Sequence, residues 1–284
     1  MDCIREKLLT IQNTCYYVQL SAEEIVTLYK ELKAYLGSGD PKLKEIDYIS
    51  LMDLLFQLSC YMGKDVECEV LYKGLKDRFG ENSPRLHLMQ ATLLQINEND
   101  DIVEEYISGL LREVLKFETD SQDYLLMSKK LLSIKRNKLP QETWLRQLLD
   151  LVEKFPSDAE LWWMCGTEYY SLGQFDRSAY CFEEVLCITP FNYVAFAQLG
   201  EVLYYKALRG NRASKDTLKN SLDNFLRSVE LSEMFVKGWS FIAKISKELS
   251  KNKLLNLART KLEEIAATGN EQDKATAKLI LESL

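Results

Sequence analysis

Residues 161–190 read LWWMCGTEYYSLGQFDRSAYCFEEVLCITP: two tryptophans, a glycine and a tyrosine pair, then a short turn, a phenylalanine and a closing proline. Shifted by 34 residues the chain meets itself, with Pro156 on Pro190, Asp158 on Asn192, Trp162 on Phe196, Gly166 on Gly200 and Tyr170 on Tyr204. A return of this length marks stacked helix-turn-helix units, and 34 residues is the period of the tetratricopeptide repeat. The side chains suit such a unit. Trp162, Cys165, Gly166 and Tyr169 share one helical stripe, where glycine lets a partner helix come close. Residues 171–175 supply the turn, and Ser178, Phe182, Val185 and Leu186 form the inner stripe of the second helix. Pro190 ends that helix, because the residue before a proline is driven out of helical geometry, and Asn192 caps the next.

Downstream, Phe196, Leu199 and Gly200 open a second unit, whose second helix carries Ser221, Phe225 and Val229. Ser221 and Phe225 lie 43 residues after Ser178 and Phe182, and Trp239 lies 43 after Phe196, so this unit is nine residues longer than the first. The extra residues are placed between its helices, in KALRGNRASKDTLK (206–219), with Lys206, Arg209, Arg212, Lys215 and Lys219 against the single acid Asp216. A third unit starts near Val236 with Trp239, Ile242 and Ala243, followed by Ala258, Leu262 and Ile265, and 271–284 reads as a capping helix. Upstream the period fades. Helices are expected over 103–117, 121–134 and 141–155, and Ser21 with Glu24 forms a capping box opening a helix to Leu36.

Composition agrees with an all-helical chain. Twelve glycines and five prolines in 284 residues are too few for the turns of a sandwich or a doubly wound sheet. The fold expected is therefore all-α, a tetratricopeptide-like solenoid of antiparallel helix pairs in a right-handed superhelix. It runs through 1–284 as one domain, with irregular helices over 1–62, repeats over 63–270, clearest at 159–270, and the cap over 271–284.

The net charge of −7, from 36 basic and 43 acidic residues, argues against nucleic acid as the partner and against unaided binding to an anionic membrane. The opening MDCIREKLLTIQ lacks the basic-then-apolar build of a secretory signal. The most apolar window, 48–62, is shorter than the roughly 20 residues that span a bilayer and is broken by Asp53 and Gln57, so it reads as a core helix. Seven cysteines without paired spacing read as reduced thiols packed as small hydrophobes. With one histidine, His87, on an apolar helix, neither triad chemistry nor a zinc site is expected, and no cofactor motif is present.

The tryptophans divide. Trp162 holds the packing position of the repeat, while Trp163 is a step of about 100° round the helix. Together with Thr167, Tyr170, Ala197, Glu201 and Tyr204 it would line the concave surface, where aromatic anchors bind peptides. Packing against a neighbouring repeat is the other reading of Trp163. The basic run 206–219 and the cluster Lys129, Lys130, Lys135, Arg136 and Lys138 are solvated helix ends or contacts to lipid headgroups or an acidic partner. A clamp for a chaperone C-terminal carboxylate needs Lys and Asn, then Lys and Arg, on successive first helices. The corresponding positions are Trp163, Thr167, Gln198, Lys237 and Phe241, of which only Lys237 fits.

Phe155, Trp162, Glu168 with Tyr170, Cys181 with Glu183 and Glu184, and Pro190 with Asn192 together carry a more specific pattern. In them the chain resembles the family of subunit 2 of the endoplasmic reticulum membrane protein complex, most strongly over 148–207. The resemblance implies a non-catalytic scaffold, peripheral on the cytoplasmic face of the endoplasmic reticulum membrane. It would hold cytosolic segments of the membrane-embedded subunits of a complex that inserts tail-anchored and multipass proteins. Two other readings stay open at this stage, a soluble chaperone adaptor and a catalytic accessory.

Overall fold

Helices start where the sequence supplies caps. In the computed structural model, which describes residues 2–80, 83–209 and 215–284, Ser21 and Glu24 close the expected capping box. The Asn99, Ser121, Asp158 and Asn270 side chains each accept a main-chain N–H at the start of a helix. Every described element is helical, and the tetratricopeptide-like all-α class holds. The helices gather into two compact units, 1–138 and 139–284, a partition that the sequence, read as one uninterrupted array, does not mark.

The first unit contains α1 (Asp2–Asn13), a 3-10 turn (Tyr16–Gln19), α2 (Ala22–Gly37), α3 (Glu45–Tyr61), α4 (Asp65–Phe79), α5 (Pro84–Asn97), α6 (Asp100–Glu113) and α7 (Gln122–Lys135). The apolar window 48–62 falls in α3, which is hydrophobic on all sides because it serves two cores. Leu51, Leu54, Leu55 and Leu58 pack with Leu8, Leu28 and Leu32, while Phe56, with Met52 and Cys60, packs with Leu75, Leu86 and Met89. Helix α6 departs from the expected 103–117. Asn99 starts it three residues early, and it stops at Glu113, leaving Phe117 outside the helix and 90% exposed.

The second unit contains α8 (Gln141–Lys154), α9 (Ala159–Ser171), α10 (Phe175–Ile188), α11 (Tyr193–Arg209), α12 (Lys215–Leu231), α13 (Val236–Glu248), α14 (Asn252–Thr268) and α15 (Glu271–Ser283). Its interior repeats one device. A Cβ on Gly166 would sit 2.9 Å from the Phe182 ring, and one on Gly200 2.9 Å from the Phe225 ring. Both phenylalanines are fully buried, and only glycine admits them against the opposite helix. Beside each, a buried serine crosses the pair: Ser178 Oγ donates to the Gly166 carbonyl (2.8 Å) and Ser221 Oγ to the Gly200 carbonyl (2.6 Å). In the third pair Ala243 takes the glycine position, with Ala258 and Leu262 in the same core, so a larger residue on one helix accompanies smaller ones on the other.

The nine extra residues of the second pair are not a loop insertion. Helix α11 has 17 residues against 13 in α9, and α12 has 17 against 14 in α10, so seven of the nine lengthen the helices themselves. The expected tail 271–284 is α15, which packs on α13 and α14 and buries Ala277.

Candidate partner-binding positions

The first helices of the three clear pairs, α9, α11 and α13, carry the side chains the sequence proposes for partner binding. On α9, Trp163 is half-buried and meets Phe182 edge-on, ring centroids 5.2 Å apart. Thr167 is exposed, its hydroxyl turned back to the Trp163 carbonyl (2.9 Å). Tyr170 packs on Phe175 and Tyr205 and donates to Glu201 Oε1 (3.1 Å). Burial and the adjacent Glu201 carboxylate both raise its phenol above the usual range.

On α11 the expectation needs correction. Ala197 is fully buried and Tyr204 is 1% exposed, both in the core shared by α12, α13 and α14. Helix α9 packs on α8 and α10, whereas α11 packs on α10, α12 and also α13, so positions that are half-open on α9 are closed there. The Tyr204 hydroxyl is nevertheless partnered, donating to Glu248 Oε1 (2.6 Å). Glu201 remains partly exposed and accepts from Lys237 Nζ at 2.5 Å, while the same amine donates to Gln198 Oε1 (2.8 Å).

Trp162 is half-buried and packs from α9 against α10, as its place in the repeat predicts. Its indole Nε1 donates to the Pro156 carbonyl (2.8 Å) and its ring meets Tyr180 edge-on, while Trp163 makes the contact to the core phenylalanine. Trp239 repeats the bond, Nε1 to the Glu233 carbonyl at 2.6 Å.

Carrying the positions of Ala197, Glu201 and Tyr204 forward by the same 43 residues reaches Ser240, Lys244 and Lys247 on α13, which the sequence reading leaves out although its own period points to them. Ser240 is half-buried, and both lysines are exposed. Lys244 lies 5.0 Å from the centre of the Tyr204 ring.

The basic run 206–219 serves two ends. Lys206 pairs with Asp176, and Arg209 lies over the Phe175 ring and donates to the Gly173 carbonyl, so both tie α11 to the start of α10. They border a cleft of about 490 Å³ with Gly173, Phe175 and Arg177. Lys215 and Lys219 are exposed on α12, the latter 3.0 Å from Asp216, and Arg212 lies outside the described residues. In the first unit, Lys138 pairs with Asp101 (2.6 Å) and Glu104 (3.2 Å), and Lys135 with Glu104 (3.4 Å), so part of that basic cluster neutralises α6.

His87 closes a half-buried network. Tyr106 donates to Gln90 Oε1 (2.8 Å), which also accepts from Tyr72 (3.0 Å), and Tyr106 Oη lies 2.9 Å from His87 Nδ1. With the tyrosine proton on Gln90, His87 Nδ1 is the donor to the phenol oxygen. Burial lowers the imidazole below its ordinary pKa. Two thiols that spacing alone does not pair, Cys60 on α3 and Cys68 on α4, come within 3.5 Å. Both are free, and burial pushes Cys60 up to about 12, so it stays a thiol at neutral pH.

Among the described residues no helix is long and apolar enough to cross a membrane. No family model matches the chain. Among solved structures it is similar to a MamA double mutant from strain RS-1, with a TM-score of 0.53 and 10% identity over 67% of this chain and 98% of that one. PilF of Pseudomonas aeruginosa gives 0.52 and 10% over 80% and 96%. Both are tetratricopeptide-type proteins, and at this identity the likeness carries the fold alone. In sequence it is 26% identical over 250 residues to the TPR repeat protein oca3 of Schizosaccharomyces pombe, 88% of this chain and 82% of that relative. It is 48% identical over 289 aligned positions to ER membrane protein complex subunit 2 of Saccharomyces cerevisiae, spanning 100% of this chain and 99% of the relative. With that extent of identity on a tetratricopeptide-like fold, the chain belongs to the family of ER membrane protein complex subunit 2.

Proposed function

We propose that the chain is a non-catalytic scaffold subunit of an endoplasmic reticulum membrane protein complex, peripheral on the cytoplasmic face of that membrane. In this role it grips cytosolic segments of membrane-embedded subunits, in a complex that inserts tail-anchored and multipass proteins. Its membrane association is indirect, through those subunits. The observation that carries the reading is the end-to-end match to a subunit of such a complex. The partly exposed aromatic and polar side chains of the first helices, Trp163, Thr167, Tyr170 and Glu201, are the type of surface on which a helical-repeat scaffold binds peptides.

A chaperone-adaptor reading fares worse on geometry. Lys237, the one residue that fits a carboxylate clamp, is already held by Glu201 and Gln198, and a peptide carboxylate would have to displace that ion pair. The test is co-purification of the tagged chain from detergent-solubilised microsomes. Recovery with integral membrane proteins in fixed stoichiometry is expected, and recovery without any would end the scaffold reading.

A further inference from the structure

Two adjoining cavities, of about 470 and 410 Å³, run along the seam between α13 and α15 and share Ser240, Phe241 and Ile280 in their walls. Together they make one trough within the second unit. Its floor is apolar. Phe241 stacks flat on the buried Phe225, centroids 4.6 Å apart, and Phe235 and Met234 close one end. Its α13 edge is cationic, with Lys237, Lys244 and Lys247 on one side of the helix at spacings of seven and three residues.

The state of those cations decides what the trough would take. Lys237 is used by Glu201, but Lys244 has no carboxylate partner among the described residues. Lys247 donates to the Leu284 main-chain oxygen (3.2 Å), which Arg259 also binds (2.9 Å), and pairs with no side-chain carboxylate among the described residues. The acids of the trough form no ion pair with them among the described residues: Glu248, in the same wall, accepts from Tyr204, and Asp273 lies at the far end, with Met234 and Phe235. Two cations that lack side-chain carboxylates thus border an apolar floor, in a chain whose net charge is −7. Lys244 also stands where the partly exposed Glu201 stands on α11, so the trough continues the row of first-helix positions proposed above for partner binding.

We propose that the trough between α13 and α15 docks an acidic, apolar partner segment, with an aliphatic or aromatic side chain against Phe241 and Ile280 and carboxylates on Lys244 and Lys247. The proposal rests on the scaffold reading and deepens it by naming the chemistry of one segment. The two lysines disfavour a cationic segment, and the apolar floor disfavours a purely polar one.

The experiment has two arms on the full chain. In the first, fluorescence anisotropy measures binding of a labelled twelve-residue peptide alternating Leu with Glu, beside versions with Lys for Glu and with Ser for Leu. The acidic apolar peptide alone is expected to bind. Its affinity should fall about tenfold or more in Lys244→Glu/Lys247→Glu and weaken with added salt, while Lys253→Glu, at an exposed position of α14, leaves it unchanged. Equal binding of the lysine peptide, unchanged binding by the double variant, or a dimer of this chain that the double variant abolishes would each overturn the proposal. In the second arm the wild type and the double variant are recovered from solubilised microsomes. Loss of one integral membrane protein from the double variant alone is the supporting result. Full retention by the variant overturns the trough while leaving the scaffold, and absence of partners from the wild type overturns the scaffold instead.

Discussion

The two units solve the same problem, closing antiparallel helices on one another, by different means. The second does it with a recurring kit of glycine, phenylalanine and serine, used in α9–α10 and α11–α12 and exchanged for alanine and leucine in α13–α14. The first has no such kit. Its cores differ in composition, one of leucine and tyrosine, the next of leucine with Phe56, Cys68 and Met89, another rich in Val103, Ile107 and Ile134, and one interface is a polar chain from Tyr72 through Gln90 and Tyr106 to His87. A repeated interior gives a readable period, whereas an aperiodic one packs as well but leaves no self-similarity to find.

The contrast is open to measurement because all four tryptophans, at 144, 162, 163 and 239, lie in the second unit and the one histidine lies in the first. Urea unfolding followed by tryptophan fluorescence therefore reports on the repeated unit. The largest effect is expected from Phe182→Ala or Phe225→Ala, a loss of about 3–5 kcal/mol from emptying a fully buried ring site. Next comes Gly166→Ala, whose new methyl group would press on Phe182 and cost about 1–3 kcal/mol. Adding Phe182→Leu to that variant should recover part of the loss, since it recreates the Ala243 and Leu262 combination of the third pair. Failure to recover would mean that the pairs are not interchangeable.

Serine gives a comparison with a change of sign. Ser178→Ala removes a buried hydrogen bond and should cost about 1 kcal/mol. Ser246 is equally buried, but its hydroxyl has no partner, so Ser246→Ala should leave stability unchanged or raise it by about 0.5–1 kcal/mol in the same fluorescence assay. The smallest effect belongs to the first unit. The His87 imidazole should titrate by NMR below the ordinary value of about 6.5, because burial opposes its charge. The unfolded chain then takes up the proton first as pH falls. Stability from this group is complete above about 6.5 and is lost below it, and a titration above 6.5 would contradict the desolvation of His87.

How much of this was legible follows from where the information sits. Caps at Ser21, Asp158 and Asn192 act within a few residues, and the 34- and 43-residue returns lie in the chain itself, so the fold class and the helix pairs could be read directly. Exposure could not. Ala197 and Tyr204 occupy the same repeat positions as Trp163 and Tyr170, yet they are closed off because α13 packs on α11 beside α10 and α12. The two readings of Trp163, groove or packing, could not be separated for a related reason: only the placed neighbour shows that its ring reaches Phe182. The basic run was visible as charge, but its partners, Asp176 and the Gly173 carbonyl, come from the turn of another pair.

The indole bonds of Trp162 and Trp239 have a mechanical consequence. Each fastens a first helix to the strand of chain leading into it, at Pro156 and at Glu233. The residue at the same position of the middle pair is Phe196, which has no N–H to give. Two of the three junctions are therefore pinned and one is not. A load applied to the second unit by a tethered partner should be taken up first at residues 189–192, making that junction the soft joint of an otherwise stiff spring.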